Sequence, residues 1–202
     1  MIFEIKNQKL VGVVANFKVA TSSIARAVIK AHHPAIESLI TSPHGDGKGT
    51  AYPEGLGPDN SLWQGLCPKI SDDAVGPVAI LIRNPIDRFV SACHQFQLDP
   101  QAMLDGVAVL RAGRKIDLTN PHFVPQTETI AKTKRVVHVY RMPRDLEAFC
   151  KAIGVSGLLR INDGRGKPHP IPTLTDSQKD QLRIIYSEDL RLFESEQQVV
   201  EV

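Results

Sequence analysis

The chain has 202 residues, 42% of them apolar and 23% charged, and a formal net charge of +2. Those values describe one globular domain with a real core, and the net charge is too small to suggest general nucleic-acid binding. No apolar run approaches the roughly 18 residues of a membrane span, and three cysteines without a CxxC spacing give no disulfide framework.

In chain order, Ile2 to Ile5 and Leu10 to Phe17 read as two strands around the polar turn Lys6 to Lys9. The second strand runs into KVATSSI. A helix follows with Ile24, Ala27, Val28 and Ala31 at i, i+3, i+4, i+7 spacing, limited by Pro34. Residues 41–77 are rich in Gly, Pro, Ser and Asp and read as one long irregular loop, of the kind that is usually functional. Its GDGKGT at 45–50 has no strand or helix flanking it and reads as loop.

Val78 to Ile82 (VAILI) is a buried strand that ends at Arg83. Asn84 suits an N-cap and Pro85 the first helical position. The helix they open is expected to bury Ile86, Phe89, Val90 and Cys93, with Asp87, Arg88 and Ser91 on its other sides. Residues 99–112 read as a further helix, followed by a loop through Asn120, Pro121 and His122. Arg135 to Tyr140 is a third core strand. Pro143 opens a helix with Leu146, Phe149, Cys150 and Ile153 on one face and Gly154 as its C′ residue. After a polar loop at 162–172, Thr175 to Gln178 form a capping box for a last helix that buries Leu182, Ile185, Tyr186 and Phe193. Alternating strands and helices predict a single α/β domain, 1–202, with a mostly parallel sheet. Cys93 and Cys150 fall on apolar helix faces and read as buried free thiols, which with no leader pattern predicts a cytoplasmic setting.

Ligands bind such sheets at the C-terminal ends of strands, and Lys18 and Arg83 both stand there. Lys18 opens a tight turn into a helix N-terminus, where free N–H groups, the helix dipole and the hydroxyls of Thr21, Ser22 and Ser23 converge on an anion site. It is not a Walker loop, because there the lysine closes a glycine-rich turn as GxxxxGK[ST], and here no glycine lies between Lys18 and Ile24. Arg83, with Ser91 two turns into the next helix, forms a second anion site. A nucleotide with phosphates at both ends of its ribose fits the pair.

These residues carry a resemblance. KVATSSI is similar to the 5′-phosphosulfate loop of the sulfotransferases that use 3′-phosphoadenosine 5′-phosphosulfate (PAPS). LIRNPIDRFVSACHQF closely resembles their 3′-phosphate motif. HVYRMPRDLEAFCKAIGV resembles their third strand and following helix, and RIND with QLRIIYSEDLRLF their C-terminal region. The likeness spans most of the chain and is strongest to the carbohydrate-type branch. It implies a three-layer, P-loop-NTPase-like α/β fold with a mostly parallel central sheet flanked by helices. It also implies transfer of a sulfuryl group from PAPS to an acceptor hydroxyl or amine, leaving adenosine 3′,5′-bisphosphate, with no metal. Lys18 would contact the phosphosulfate and stabilise the leaving oxygen. Val19, Ala20, Thr21, Ser22 and Ser23 would cradle the 5′-phosphate, and Arg83 and Ser91 would hold the 3′-phosphate. Lys167, with His169, would close over the cofactor.

The general base is expected between the two motifs, where His32, His33, His44, Asp46, Glu54 and Asp59 stand, with His44 as first choice. His122, in a stretch HFVPQ that resembles the HWxPQ of some carbohydrate sulfotransferases, is a second candidate and suits acceptor binding. The acceptor is expected to be a small molecule or a glycan. A non-catalytic nucleotide- or glycan-binding relative and a P-loop kinase are the alternatives, and the oligomeric state is not readable from the sequence.

Overall fold

The computed structural model describes residues 2–5, 9–14, 16, 18–35, 67–71, 74–110, 113–158 and 170–201. Among them a five-stranded sheet has strands in the order β1 (Ile2–Glu4), β2 (Gly12–Val14), β3 (Val78–Arg83), β4 (Val137–Met142) and β5 (Val199–Val200). β2, β3 and β4 run parallel, while β1 and β5 pair antiparallel at the two edges. The sheet is therefore mixed, and the expectation of a mostly parallel sheet is corrected. The reason at the first edge is chain length. Seven residues separate Glu4 from Gly12, far short of the crossover that a parallel neighbour requires, so the two strands fold back on each other. Gly12 permits their close approach, since a Cβ there would lie 2.9 Å from the Phe3 carbonyl oxygen.

Seven helices are described: α1 (Thr21–His32), α2 (Pro85–Phe96), α3 (Pro100–Leu104), α4 (Gln126–Ala131), α5 (Leu146–Ala152), α6 (Asp176–Ile185) and α7 (Ser187–Glu194). They cover both faces of the sheet. Ala79 and Leu81 of β3 pack with Ile24, Val28 and Ile29 of α1 and with Phe149 of α5. Val78, Ile80 and Ile82 face the other way, against Ile130 of α4 and Leu192 and Phe193 of α7. A strand buried on both faces reads as an unbroken apolar run, which is why VAILI stands out in the sequence. A third cluster joins Phe89, Ala92 and Cys93 of α2 to Met103, Phe123, Leu182 and Tyr186.

Several expectations are adjusted. The buried stripe of α1 is Ile24, Ala25, Val28, Ile29 and His32, so the helix is rotated relative to the predicted face and Ala31 is exposed. Arg88, expected away from the core, is 1% exposed on α2. The predicted helix 99–112 is only Pro100–Leu104, because the chain turns at Gly106 with φ +70° and forms a bridge between Val109 and Lys115. The last helix is broken at Tyr186 into α6 and α7. Other expectations hold. Asn84 caps α2 by accepting from the N–H groups of Ile86 and Asp87, Thr175 and Gln178 form the reciprocal capping box of α6, and Gly154 follows α5 with φ +71°.

Cys67, Cys93 and Cys150 are buried free thiols, and burial pushes Cys67 and Cys93 up to about 12. No helix among the described residues is long and apolar enough to cross a membrane.

Candidate functional site

The site is built where β2 and β3 part. The two strands are parallel neighbours from Gly12 opposite Val78 to Val14 opposite Ile80. β2 then ends, and β3 continues to Arg83. Beyond β2, Asn16 begins a tight turn in which its carbonyl accepts both the Val19 N–H, at 3.3 Å, and the Thr21 hydroxyl, at 2.5 Å. Lys18 and Ala20 both adopt left-handed backbone, with φ of +64° and +54°. Neither is glycine, so each costs about 1 kcal/mol or more, a strain of the kind that collects at ligand sites. The turn delivers α1 with no side-chain cap and no acidic residue in its first turn, while Lys30 and His32 sit in its last. The positive end of its dipole is thus left for an anion.

The predicted phosphate-loop residues divide in this turn. Val19 is fully buried in the core, and its N–H is taken by Asn16. Thr21 is 6% exposed and donates its hydroxyl proton to the same carbonyl. Ala20 and the half-buried Lys18 face outward, and Ser23 is buried in the first turn of α1. Ser22 opens that turn too, and its side chain lies outside the described atoms.

On the neighbouring strand, Arg83 is half-buried at the end of β3, and Ser91 is half-buried on α2. One turn beyond Ser91, on the same helix face, Gln95 accepts a hydrogen bond from the Lys18 ammonium through its Oε1. The Lys18 turn and the Arg83–α2 unit are therefore in direct contact. Phe96 sets its ring edge-on to His122, with centroids 4.8 Å apart. The His122 imidazole is held down at about 4 by burial first, then by the nearby positive charges of Lys18 and Arg88. Lys18 and His122, chosen separately from the sequence, thus share one electrostatic environment.

Residues given no catalytic or binding role by the sequence hold this arrangement. Arg88 donates to the carbonyls of His122, Phe123 and Val124, at 3.3, 3.2 and 2.5 Å, and lies 5.7 Å from the Tyr186 ring centroid. Tyr186 donates its hydroxyl to the Phe123 carbonyl at 2.5 Å. Gln126, 1% exposed, accepts from Asn16 Nδ2 at 3.0 Å and from the Arg83 N–H at 2.9 Å, and donates to the Arg83 carbonyl at 2.8 Å. Asp189, equally buried, accepts from the N–H of Gln126 and from the N–H and hydroxyl of Thr127. A carboxylate on α7 thereby caps α4 from outside its own segment. The sequence signals were present: Gln126 closes HFVPQ, and Tyr186 and Asp189 are the polar pair of Y-x-x-D.

His32 and His33 lie at the far end of α1, roughly 18 Å from the turn by helix rise. Their Nε2 atoms pair with the carbonyls of Ile153 and Glu4. His44, Lys167, His169 and the acidic candidates at 46, 54 and 59 lie outside the described residues. Among the described residues no cluster of His, Cys, Asp and Glu is arranged to hold a metal. A groove of about 740 Å³ lies elsewhere, against β4 and α5, and is lined by Lys9, Tyr140, Asp145, Lys151 and Gln198 among others. It involves none of the predicted site residues. Comparison of the chain with protein-family models, with curated proteins and with solved structures finds no match.

Proposed function

We propose that the protein is a PAPS-dependent sulfotransferase with a P-loop-like nucleotide site. The observation that carries the reading is the pairing of two cationic ends on adjacent parallel strands: the strained Lys18 turn after β2, and Arg83 at the end of β3, with Gln95 joining one to the other. A nucleotide with an anion on each side of its ribose needs two such ends. The turn suits the 5′-phosphosulfate because Ala20 and Ser23 open an uncapped helix N-terminus beside an ammonium group. The Arg83 guanidinium has no hydrogen bond or ion pair among the described residues and suits the 3′-phosphate, with Ser91 adding a hydroxyl.

PAPS supplies an activated sulfuryl group. In the transfer, an acceptor oxygen or nitrogen attacks sulfur as the bond from sulfur to the phosphate-bridging oxygen breaks. Adenosine 3′,5′-bisphosphate leaves with that electron pair, and Lys18 neutralises the charge that develops on the leaving oxygen. The acceptor proton goes to a base. His122 suits that role among the described residues because its ring is neutral at pH 7, and the Lys18 charge that opposes its protonation is offset once the phosphosulfate pairs with Lys18. As in phosphoryl transfer, positioning and charge stabilisation do the catalysis. We favour a glycan hydroxyl as acceptor, bound beside His122, and a cytoplasmic setting for the three free thiols.

Calorimetric titration tests the reading first. Adenosine 3′,5′-bisphosphate should bind without Mg²⁺ and in preference to ATP; the reverse preference would point to a P-loop kinase. Transfer of label from PAPS to a glycan panel should then fall by about 10²-fold or more in Lys18→Ala, the scale of a lost charge-stabilising donor. Binding with no transfer to any acceptor would leave a non-catalytic nucleotide-binding protein. Full transfer in either Lys18→Ala or Arg83→Ala would remove the assignment.

A further inference from the structure

The parting of β2 and β3 leaves a backbone problem, and its solution carries a function. Val78 directs its N–H to Val136, beside β4, so alternate residues 79, 81 and 83 turn their N–H and C=O groups toward β2. β2 has already ended at Val14. The Arg83 N–H and C=O thus face a vacated rung of the sheet, and buried backbone groups require partners. The side-chain amide of Gln126 fills that rung, its Oε1 accepting from the Arg83 N–H and its Nε2 donating to the Arg83 carbonyl. The same Oε1 accepts from Asn16 Nδ2, and Asn16 is the residue whose carbonyl fastens the Lys18 turn through Val19 and Thr21.

The orientation of this amide is fixed twice. The Arg83 pair demands oxygen on one side and nitrogen on the other, and Asp189 holds the Gln126 backbone N–H at 2.7 Å and lies 3.5 Å from Nε2. Gln126, Asn16 and Asp189 are all at most 2% exposed. One buried amide is therefore bonded at the same time to the end of the strand that carries Arg83 and to the turn that carries Lys18.

We infer that Gln126 is a positioning residue that fixes the spacing between the two anion subsites, so that one nucleotide can engage both ends at once. This rests on the nucleotide reading given above. Gln126 touches neither anion. It acts through the backbone of Arg83 and through Asn16, and its effect is on the effective concentration of the second anion once the first is bound.

The experiment compares three probes by calorimetry: adenosine 3′,5′-bisphosphate, which spans both subsites, and adenosine 5′-monophosphate and adenosine 3′-monophosphate, which engage one each. In Gln126→Leu and in Asn16→Ala, affinity for the bisphosphate is expected to drop about tenfold, while the two monophosphates stay within about twofold of wild type. Loss of spacing predicts that split; general damage to the fold would weaken all three probes alike. An unchanged bisphosphate affinity, or an equal loss for all three, overturns the inference while leaving the nucleotide reading in place. Failure of the wild type to bind the bisphosphate overturns the nucleotide reading and this inference with it. Asn16→Ala keeps the Gln126–Arg83 pair intact, so it decides the matter should Gln126→Leu fail to fold.

Discussion

His122 shows how a single side chain joins the fold to the chemistry. Its imidazole sits against Phe96, its backbone N–H donates to Asn120 Oδ1 at 3.1 Å, and its backbone carbonyl is held by Arg88. Burial and two cations depress its titration from 6.5 to about 4. Between those values the unfolded chain binds a proton that the folded protein refuses. Folding stability from this group is therefore complete above pH 6.5 and is lost as pH falls through about 4. Two measurements check this: an NMR titration of the His122 ring, and denaturant unfolding at pH 7 and pH 4 in wild type and His122→Gln, where the variant should lose less on acidification. Addition of adenosine 3′,5′-bisphosphate should move the ring pKa upward, because an anion at the Lys18 turn offsets one of the charges that hold it down.

At the scale of elements, α2 carries the most. It starts from the end of β3, presents Ser91 and Gln95 toward the Lys18 turn, and buries Arg88 beneath the His122 loop. Its start is set locally: Asn84 accepts two N–H bonds, Pro85 occupies the first turn, and Asp87 adds a favourable charge to the dipole. Asn84→Ala should lower global stability by about 1 kcal/mol in denaturant unfolding. It should weaken adenosine 3′-monophosphate more than adenosine 5′-monophosphate, since it loosens the element that holds Ser91. The split of the last predicted helix at Tyr186 is also an element-scale event. The break turns the Tyr186 hydroxyl to the Phe123 carbonyl and the Asp189 carboxylate to the start of α4. Each buried polar group gains a partner that one unbroken helix did not supply at the level of periodicity.

At the scale of the molecule, Arg141 ties the far edge together. It is 1% exposed on β4, and its guanidinium donates to the carbonyls of Val139, Leu192 and Gln197 and to Ser195 Oγ. This brings the chain after α7 back as β5, where the Gln198 carbonyl accepts from the Val139 N–H at 2.8 Å. Arg141→Ala leaves several carbonyls without their donor and should cost about 3 kcal/mol. Hydrogen exchange at the Val139 amide should accelerate more than at Leu81 in the sheet centre, as expected if the edge opens first.

What the sequence by itself determined is whatever depends on near neighbours along the chain. The apolar run of β3, the Asn84–Pro85 start of α2, the capping box at Thr175 and the left-handed close at Gly154 are local, and each is found where the residues predict it. Lys18 and Arg83 were readable as site candidates for the same reason, since a cation at a strand end is a local pattern. The tertiary structure decided the rest. Arg88 stands off the apolar face its helix periodicity predicts, and its burial follows from the carbonyls of residues 122–124, more than thirty positions away, that turn toward it. The antiparallel β5 edge of the sheet depends on a tail that Arg141 recruits from fifty residues downstream. Gln126 and Asp189 stand in stretches the sequence marks, HFVPQ and QLRIIYSEDLRLF, but their partners are not legible there, because a buried amide or carboxylate is tolerable only when distant backbone groups complete its hydrogen bonds, and only folding brings those groups to it.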